Sequence, residues 1–326
     1  MFDISFDVPE SIMKSDILSY TEVALTDGIY EPPIALDVFA KAARVNATHG
    51  SALYVKRNML SSTLMLPGKI KRRDLKRFLD DCLIFGNGYL LAVRNRLSNE
   101  IVQFKHLPAL YMRRKASLKE YCYKPKAFSD EGRIDYRSEQ VFHWAEYDVT
   151  QEIYGLPQYV GAMPSIWLSE DATLFRRKYY VNGSHAGFLL YLNDPNMTAV
   201  QEEEIKAQMK KTGGLGAFKN LFINAKGRET SEPKLIPIGQ LDAKDAFKDI
   251  KSKTTNDVLA SHRVPLDLMS IDREGFAGSS DLNKVDRIFY KNELVPFLES
   301  ICDELFDFCG EEIMTIKEYE GLEITA

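Results

Sequence analysis

The residues able to do chemistry in this 326-residue chain are spaced so as to exclude most chemistries. Five histidines, His49, His106, His143, His185 and His262, show neither HxxxH nor HExxH spacing, so no helical zinc pair is encoded. Four cysteines, Cys82, Cys122, Cys302 and Cys309, form no CxxC and are too few for a disulfide framework. Each reads as a small buried hydrophobe, and their sparseness fits a reducing compartment. Glu202, Glu203 and Glu204 are consecutive, so on a helix they splay and cannot share one metal ion. No Ser/His/Asp set or carboxylate pair can be defended from spacing. Gly86-Asn87-Gly88 lacks the Lys-Ser/Thr of a phosphate loop and follows a helical pattern rather than a strand, so it reads as a structural turn. No catalytic residue, metal site or cofactor is expected.

What remains is cationic or flexible. Lys244, Lys248 and Lys251 recur at i, i+4 and i+7, a narrow basic stripe about a quarter turn from the apolar stripe of Phe247, Ile250, Thr254 and Val258. Asp245 and Asp249 are interspersed, so a solvated helix face is the competing reading. Arg176, Arg177 and Lys178 crowd the last turns of another helix, where cations complement the helix dipole. Residues 270–281, SIDREGFAGSSD, form a Gly/Ser-rich loop with balanced charge.

The elements that must position these residues follow from periodicity. Residues 1–33, broken by Pro9, Pro32 and Pro33, read as an arm that packs on a neighbour or is partly disordered. Helices are expected over 36–48, with Leu36, Phe39, Ala40 and Ala43 on one face, and over 51–66. A third helix carries Leu75, Phe78, Leu79 and Cys82 as its stripe. Strands follow at 89–93, 101–104, 120–123 and 140–144, joined by short turns, so this half is an α+β module with antiparallel pairing. A rod over 165–181, with Leu168, Ala172, Phe175 and Tyr179 on one stripe, stops at Asn182-Gly183.

A small α/β insert comes next: strands at 188–192, 221–224 and 234–238, and a helix opened by a capping box at Thr198. A second rod spans 242–264 with Asp242 as N-cap. The last helix, 282–308, carries Val285, Ile288, Phe289, Leu298, Ile301, Cys302, Leu305 and Phe308. It must kink or restart at Pro296 and ends at Gly310, before a short acidic tail with one strand.

The length argues for at least two modules. A net charge of -5 argues against a protein that grips nucleic acid over its whole surface, but not against one past which nucleic acid slides. The acidic, mixed start MFDISFDVPE is unlike a signal peptide, and no apolar run approaches membrane-spanning length.

Four segments occur in a telling order: LIFGNGYLLAVRN, YGLPQYVGAMPSIWLSEDATLFRRKYYVNGSHAGFLLY, ASHRVPLDLMSI and VPFLESICDEL. Together they resemble tailed-bacteriophage portal proteins of the P2-like (PBSX-type) family, over roughly residues 36–310. The resemblance implies an α+β fold of portal-type architecture, with an α+β wing, a two-helix stem, a small α/β clip and C-terminal helices. Its parts would be arm and wing 1–164, first stem helix 165–182, clip 183–241, second stem helix 242–265, tunnel loop 266–282, and C-terminal wing or crown helices 283–326.

It further implies a homo-oligomeric ring, usually of twelve copies, at one capsid vertex: a head–tail connector and a conduit for packaging and ejection of double-stranded DNA, held non-specifically. Its partners would be the terminase large subunit, major capsid and scaffold proteins, and head-completion and tail proteins, with no membrane. It would reside in the virion, and in the host cytoplasm during assembly. The packaging ATPase is a separate protein, and this chain lacks a Walker A motif, as a passive conduit requires. In such a ring Asp272, Arg273, Glu274, Gly275, Phe276, Gly278, Ser279 and Ser280 would face DNA from the tunnel loop. Lys244, Lys248 and Lys251 would line the channel, and Arg176, Arg177 and Lys178 would stand at the clip–stem interface. A tail or baseplate structural protein is the alternative, and further off a metal-dependent phosphoester hydrolase.

Overall fold

Leu75, Phe78, Leu79 and Cys82 are all buried, because their spacing puts them on one face of a helix, α3 (Arg72–Phe85). This computed structural model describes residues 25–126, 129–181, 188–193, 197–198, 200–205, 221–224, 231–237, 243–269 and 282–319. Contacts divide the chain into two compact units, one running to Trp167 and resuming at Thr255, the other Leu168–Thr254.

In the first unit, α1 (Leu36–Val45) buries Leu36, Phe39 and Ala42, while Ala40 and Ala43 are half-buried. The helix expected over 36–48 breaks earlier than that. Asn46 adopts extended backbone and caps α2 (Ala47–Thr63), its Oδ1 accepting the His49 N–H at 3.0 Å. Strand β4 (Asn87–Arg94) is the centre of an antiparallel sheet, between β5 (Ile101–Leu107) and β9 (Val141–Ala145).

A second, five-stranded antiparallel sheet has the order β1 (Leu25–Thr26), β2 (Ile29–Tyr30), β6 (Met112–Lys115), β7 (Glu120–Tyr123), β8 (Ile134–Arg137). Here the arm reading needs correction from Leu25 onward. Asp27 and Gly28 both have positive φ, 51° and 74°, and Asp-Gly is the preferred pair for a two-residue hairpin turn. Leu25–Tyr30 is therefore a hairpin that extends the sheet, with Ile29 buried.

The C-terminal segment opens with α7 (Leu282–Phe289) and closes with α8 (Val295–Cys309). Between them Tyr290–Leu294 is a π-helical turn. Pro296 is the cause: it has no N–H for the carbonyl of residue 292, and its ring crowds that carbonyl. The widened turn bonds the Val295 N–H to the Tyr290 carbonyl instead. Ile288 of the expected stripe is exposed, whereas Phe289, Leu298, Ile301 and Leu305 are buried. Gly310, at φ 72°, stops α8, and β13 (Thr315–Ile316) returns to pair with β3 (Leu64–Met65). Cys82 and Cys122 are buried, but Cys302 and Cys309 are only half so, because they sit near the solvent side of α8.

Helix α4 (Met163–Val181) starts in the first unit, where Met163 and Ile166 are core residues. Past the unit boundary Leu168 of the expected stripe is exposed and Ala172 half-buried, while the side chains of Phe175 and Tyr179 lie outside the description. In the second unit, β10 (Phe188–Asn193) lies parallel to β11 (Leu221–Asn224) and antiparallel to β12 (Ser231–Pro237). Helix α5 (residues 200–205) opens with the expected capping box: Thr198 N–H donates to Gln201 Oε1, and Gln201 N–H donates back to Thr198 Oγ1. Helix α6 (Ala243–His262) returns the chain to the first unit. The proposed stop Asn182-Gly183 and the N-cap Asp242 lie outside the described residues. No helix among those residues is long and apolar enough to cross a membrane.

Gly88 lets β4 lie against α3, since a Cβ there would run into Cys82 Sγ and the Phe78 ring, both buried. Gly88→Ala is expected to lower stability by about 2–3 kcal/mol through overpacking, read as a lower denaturant midpoint at unchanged slope.

Candidate functional site

The sequence-predicted site residues fall in three places. The loop residues Asp272, Arg273, Glu274, Gly275, Phe276, Gly278, Ser279 and Ser280 lie outside the described residues. Lys244, Lys248 and Lys251 are all on α6, whose regular backbone sets them along one side, and Lys251 is exposed. Arg176, Arg177 and Lys178 are on the last turns of α4, with Arg177 exposed and Arg176 half-buried.

What the fold brings together around the first unit's ends of α4 and α6 is a buried polar junction that spacing did not reveal. Its first part is Asn87, which is 2% exposed and uses every hydrogen-bonding position it has. Asn87 Nδ2 donates to the carbonyls of Phe85 and Gly155, each at 2.8 Å. Asn87 Oδ1 accepts from the Gly155 N–H at 2.9 Å and from His143 Nε2 at 3.0 Å. The Glu146 N–H donates to the Gly86 carbonyl at 2.8 Å. Gly86, at φ 65°, admits this approach, since a Cβ would strike the backbone of Leu156 and Pro157. The GNGY and GLP segments are thus two halves of one joint.

The second part sits where α6 ends. Lys56 of α2 is 2% exposed and ion-pairs with Glu293 on the π-helical turn. Arg263, in left-handed conformation at φ 55° just past α6, approaches the same carboxylate at 3.3 Å and donates to Gln158 Oε1. Burial lowers the Lys56 pKa, and the Glu293 carboxylate opposes that shift. Burial also raises the Glu146 carboxyl. Beside this cluster His49 Nδ1 and His262 Nε2 are 2.7 Å apart, and both rings pack against Tyr159. One ring must donate and the other accept, so at least one ring is neutral. Burial pulls the His49 pKa down to about 4, and lowers that of His262, with His49 and Lys56 adding to the effect.

Cations and carboxylates here already neutralise one another, and burial raises the pKa of the nearby Cys82 thiol. Among the described residues no group of three or more His, Cys, Asp or Glu could hold a metal ion. What the cluster does is mechanical. It ties α2, the end of α6 and the π-helical turn together, and so joins the segments on either side of residues 270–281. Sequence reading missed it because its members are up to 237 positions apart. The available signal was weak: a Lys inside an apolar helix and a Glu one turn before Pro296.

Comparisons with known proteins complete the picture. A family described as "Phage portal protein" matches residues 72–320. The "Probable portal protein" of Escherichia phage P2 is 36% identical over 316 residues, covering 97% of this chain and 90% of that one. That of Haemophilus phage HP1 (strain HP1c1) is 33% identical over 307 residues, covering 93% and 88%. Among solved structures, a chain from the neck of a native gene transfer agent particle computed with C12 symmetry superposes with a TM-score of 0.62 at 15% identity. It covers 90% of this chain and 86% of its own. An HK97 family phage portal protein from Corynebacterium diphtheriae gives 0.57 at 11%, covering 81% and 89%.

The buried histidine pair sets a pH dependence. A histidine whose folded pKa is depressed binds fewer protons folded than unfolded, so its stabilisation is present above pH 6.5 and lost as pH falls toward 4. The loss is about 1.4 kcal/mol per pH unit for each such group. His262→Gln is expected to lower stability at pH 7.5 and to flatten the decline between pH 6.5 and 4 by about 1 kcal/mol per unit. Urea midpoints for both proteins across that range check this, since carboxylates titrate alike in each.

Proposed function

The chain belongs to the phage portal protein family, and from that premise we propose that it assembles into a closed ring of twelve copies at one capsid vertex. The ring is the conduit through which double-stranded DNA enters during packaging and leaves at ejection. The observation that carries this reading is 36% identity to a probable portal protein across 97% of the chain. The twelve-fold count is supported by the C12 symmetry with which the neck of a gene transfer agent particle was computed, a structure whose chain shares this fold.

On this reading the first unit, with the α7–α8 segment, is the wing. Helices α4 and α6 are the stem, residues 183–241 the clip, and residues 266–282 the tunnel loop. Two features support that division. The polar junction joins the segments flanking residues 270–281, so a loop there has fixed feet. Lys244, Lys248 and Lys251 lie on one side of α6, and a ring would repeat them around a channel. A modest basic lining on an acidic protein centres DNA without trapping it, since each phosphate neutralised adds salt-dependent affinity. Arg176, Arg177 and Lys178 would stand between stem and clip. The chain itself does no chemistry, and the force for packaging comes from a terminase bound to the ring. Capsid, scaffold and head-completion proteins meet its other faces, in the host cytoplasm during assembly and then in the virion.

Mass photometry and averaged top views in electron microscopy test the ring, and twelve-fold particles are expected. A chain that stays monomeric under all assembly conditions overturns the reading. Deletion of residues 273–279 is expected to leave ring mass in proportion while sharply lowering the yield of full-length packaged DNA. Normal packaging by the deletion phage removes the loop's role.

A further inference from the structure

The three most exposed large apolar side chains among the described residues occupy only two places. Leu97 is 98% exposed, Val149 84% and Tyr147 83%. Leu97 is at the tip of the turn joining β4 to β5. Tyr147 and Val149 follow β9, beside a cleft of about 490 Å³ with Ile34, Leu156, Pro157 and Val160 in its wall. The pairing of β4 puts these places at opposite ends of one strand. Asn87 faces Ala145 at the cleft end, and Arg94 leads into the Leu97 turn. Seven residue steps separate them, about 23 Å at roughly 3.3 Å per residue.

The Leu97 turn is built to hold its leucine outward. The Asn95 N–H bonds the Glu100 carbonyl at 2.8 Å, and the Asn99 N–H bonds the Asn95 carbonyl at 3.0 Å, with Asn99 in left-handed conformation at φ 58°. Asn95 Oδ1 accepts the Leu97 N–H at 2.9 Å, and the Arg94 guanidinium donates to the Asn99 carbonyl. An ordered turn with an apolar tip loses little conformational entropy on docking. Arg96, next to Leu97, is exposed and makes no ion pair among the described residues, while Asp148 stands on the cleft wall. The knob carries a cation, and in the cleft wall the carboxylates of Glu146 and Asp148 outnumber the one cation, Arg263, so knob and cleft are complementary in charge. They cannot meet within one chain, being at opposite ends of β4.

We infer that the Leu97 turn of one copy seats in the Tyr147–Val149 cleft of the next, and that this is a subunit contact of the ring. The inference rests on the ring reading above. A heterologous contact joins two different patches, and repeating it by rotation closes a ring. Leu97 then anchors against Tyr147 and Val149, with Arg96 facing Asp148 across the rim.

The test pairs Leu97→Cys with Val149→Cys in one chain, oxidises the assembled protein and resolves it without reductant. A ladder of covalent multimers is expected from the double variant and from neither single variant, despite the native cysteines. Leu97→Asp is expected to raise the concentration at half assembly by at least about tenfold while near-ultraviolet circular dichroism stays native. Rings that form normally in Leu97→Asp, with no ladder from the cysteine pair, overturn this contact and leave the ring reading standing. A wild-type chain that never assembles overturns both.

Discussion

One side chain holds together segments on which the rest of the first unit depends. Asn87 joins the end of α3, the start of β4 and the Gly155 backbone, and it takes the proton-bearing nitrogen of His143 as well. A buried amide is tolerated only when its donors and acceptors are satisfied, and here two donors and two acceptors are all used. That geometry demands glycine on both sides of the contact. Gly86, Gly88 and Gly155 each lie where a Cβ would collide with backbone or core. The joint therefore dictates where β9 ends, and so where α4 begins to leave the unit.

The second constraint is electrostatic. Lys56 is buried in α2 and must have an anion, because an unpaired cation in that setting is far too costly. The anion is Glu293, which Arg263 also approaches. Glu293 sits on the π-helical turn that Pro296 forces between α7 and α8. A proline that cannot donate, a widened turn and a shared carboxylate form one causal series. Its result is that the end of a long helix and the start of the terminal helices are held to the same core.

For a member of the phage portal family these two joints have a common sense. On the ring reading, the sheet-bearing unit must stay whole while DNA passes. Fully satisfied buried polar contacts are directional, and they rigidify and specify the core that holds them. The second unit is independently organised around β10, with one parallel and one antiparallel neighbour. Variation there need not disturb the joints at Asn87 and Glu293.

Local pattern alone determined much of this protein. The stripe of α3, the strands β4, β5, β7 and β9, the capping box at Thr198, the restart at Pro296 and the stop at Gly310 all follow local patterns that spacing records directly, whereas β6 and β8 were not foreseen. The family was also legible, from the order of four motifs. The hairpin Leu25–Tyr30 was legible too, in its Asp-Gly, but a proline-rich surrounding read as an arm. Tertiary structure alone decided the rest. The Asn87–Gly155, Lys56–Glu293 and His49–His262 partnerships span 68, 237 and 213 positions. No local period encodes which distant group will face a buried polar side chain, because that choice is made only when the elements pack. A glycine or a lysine in an apolar stretch announces that such a partner is needed, and only the fold names it.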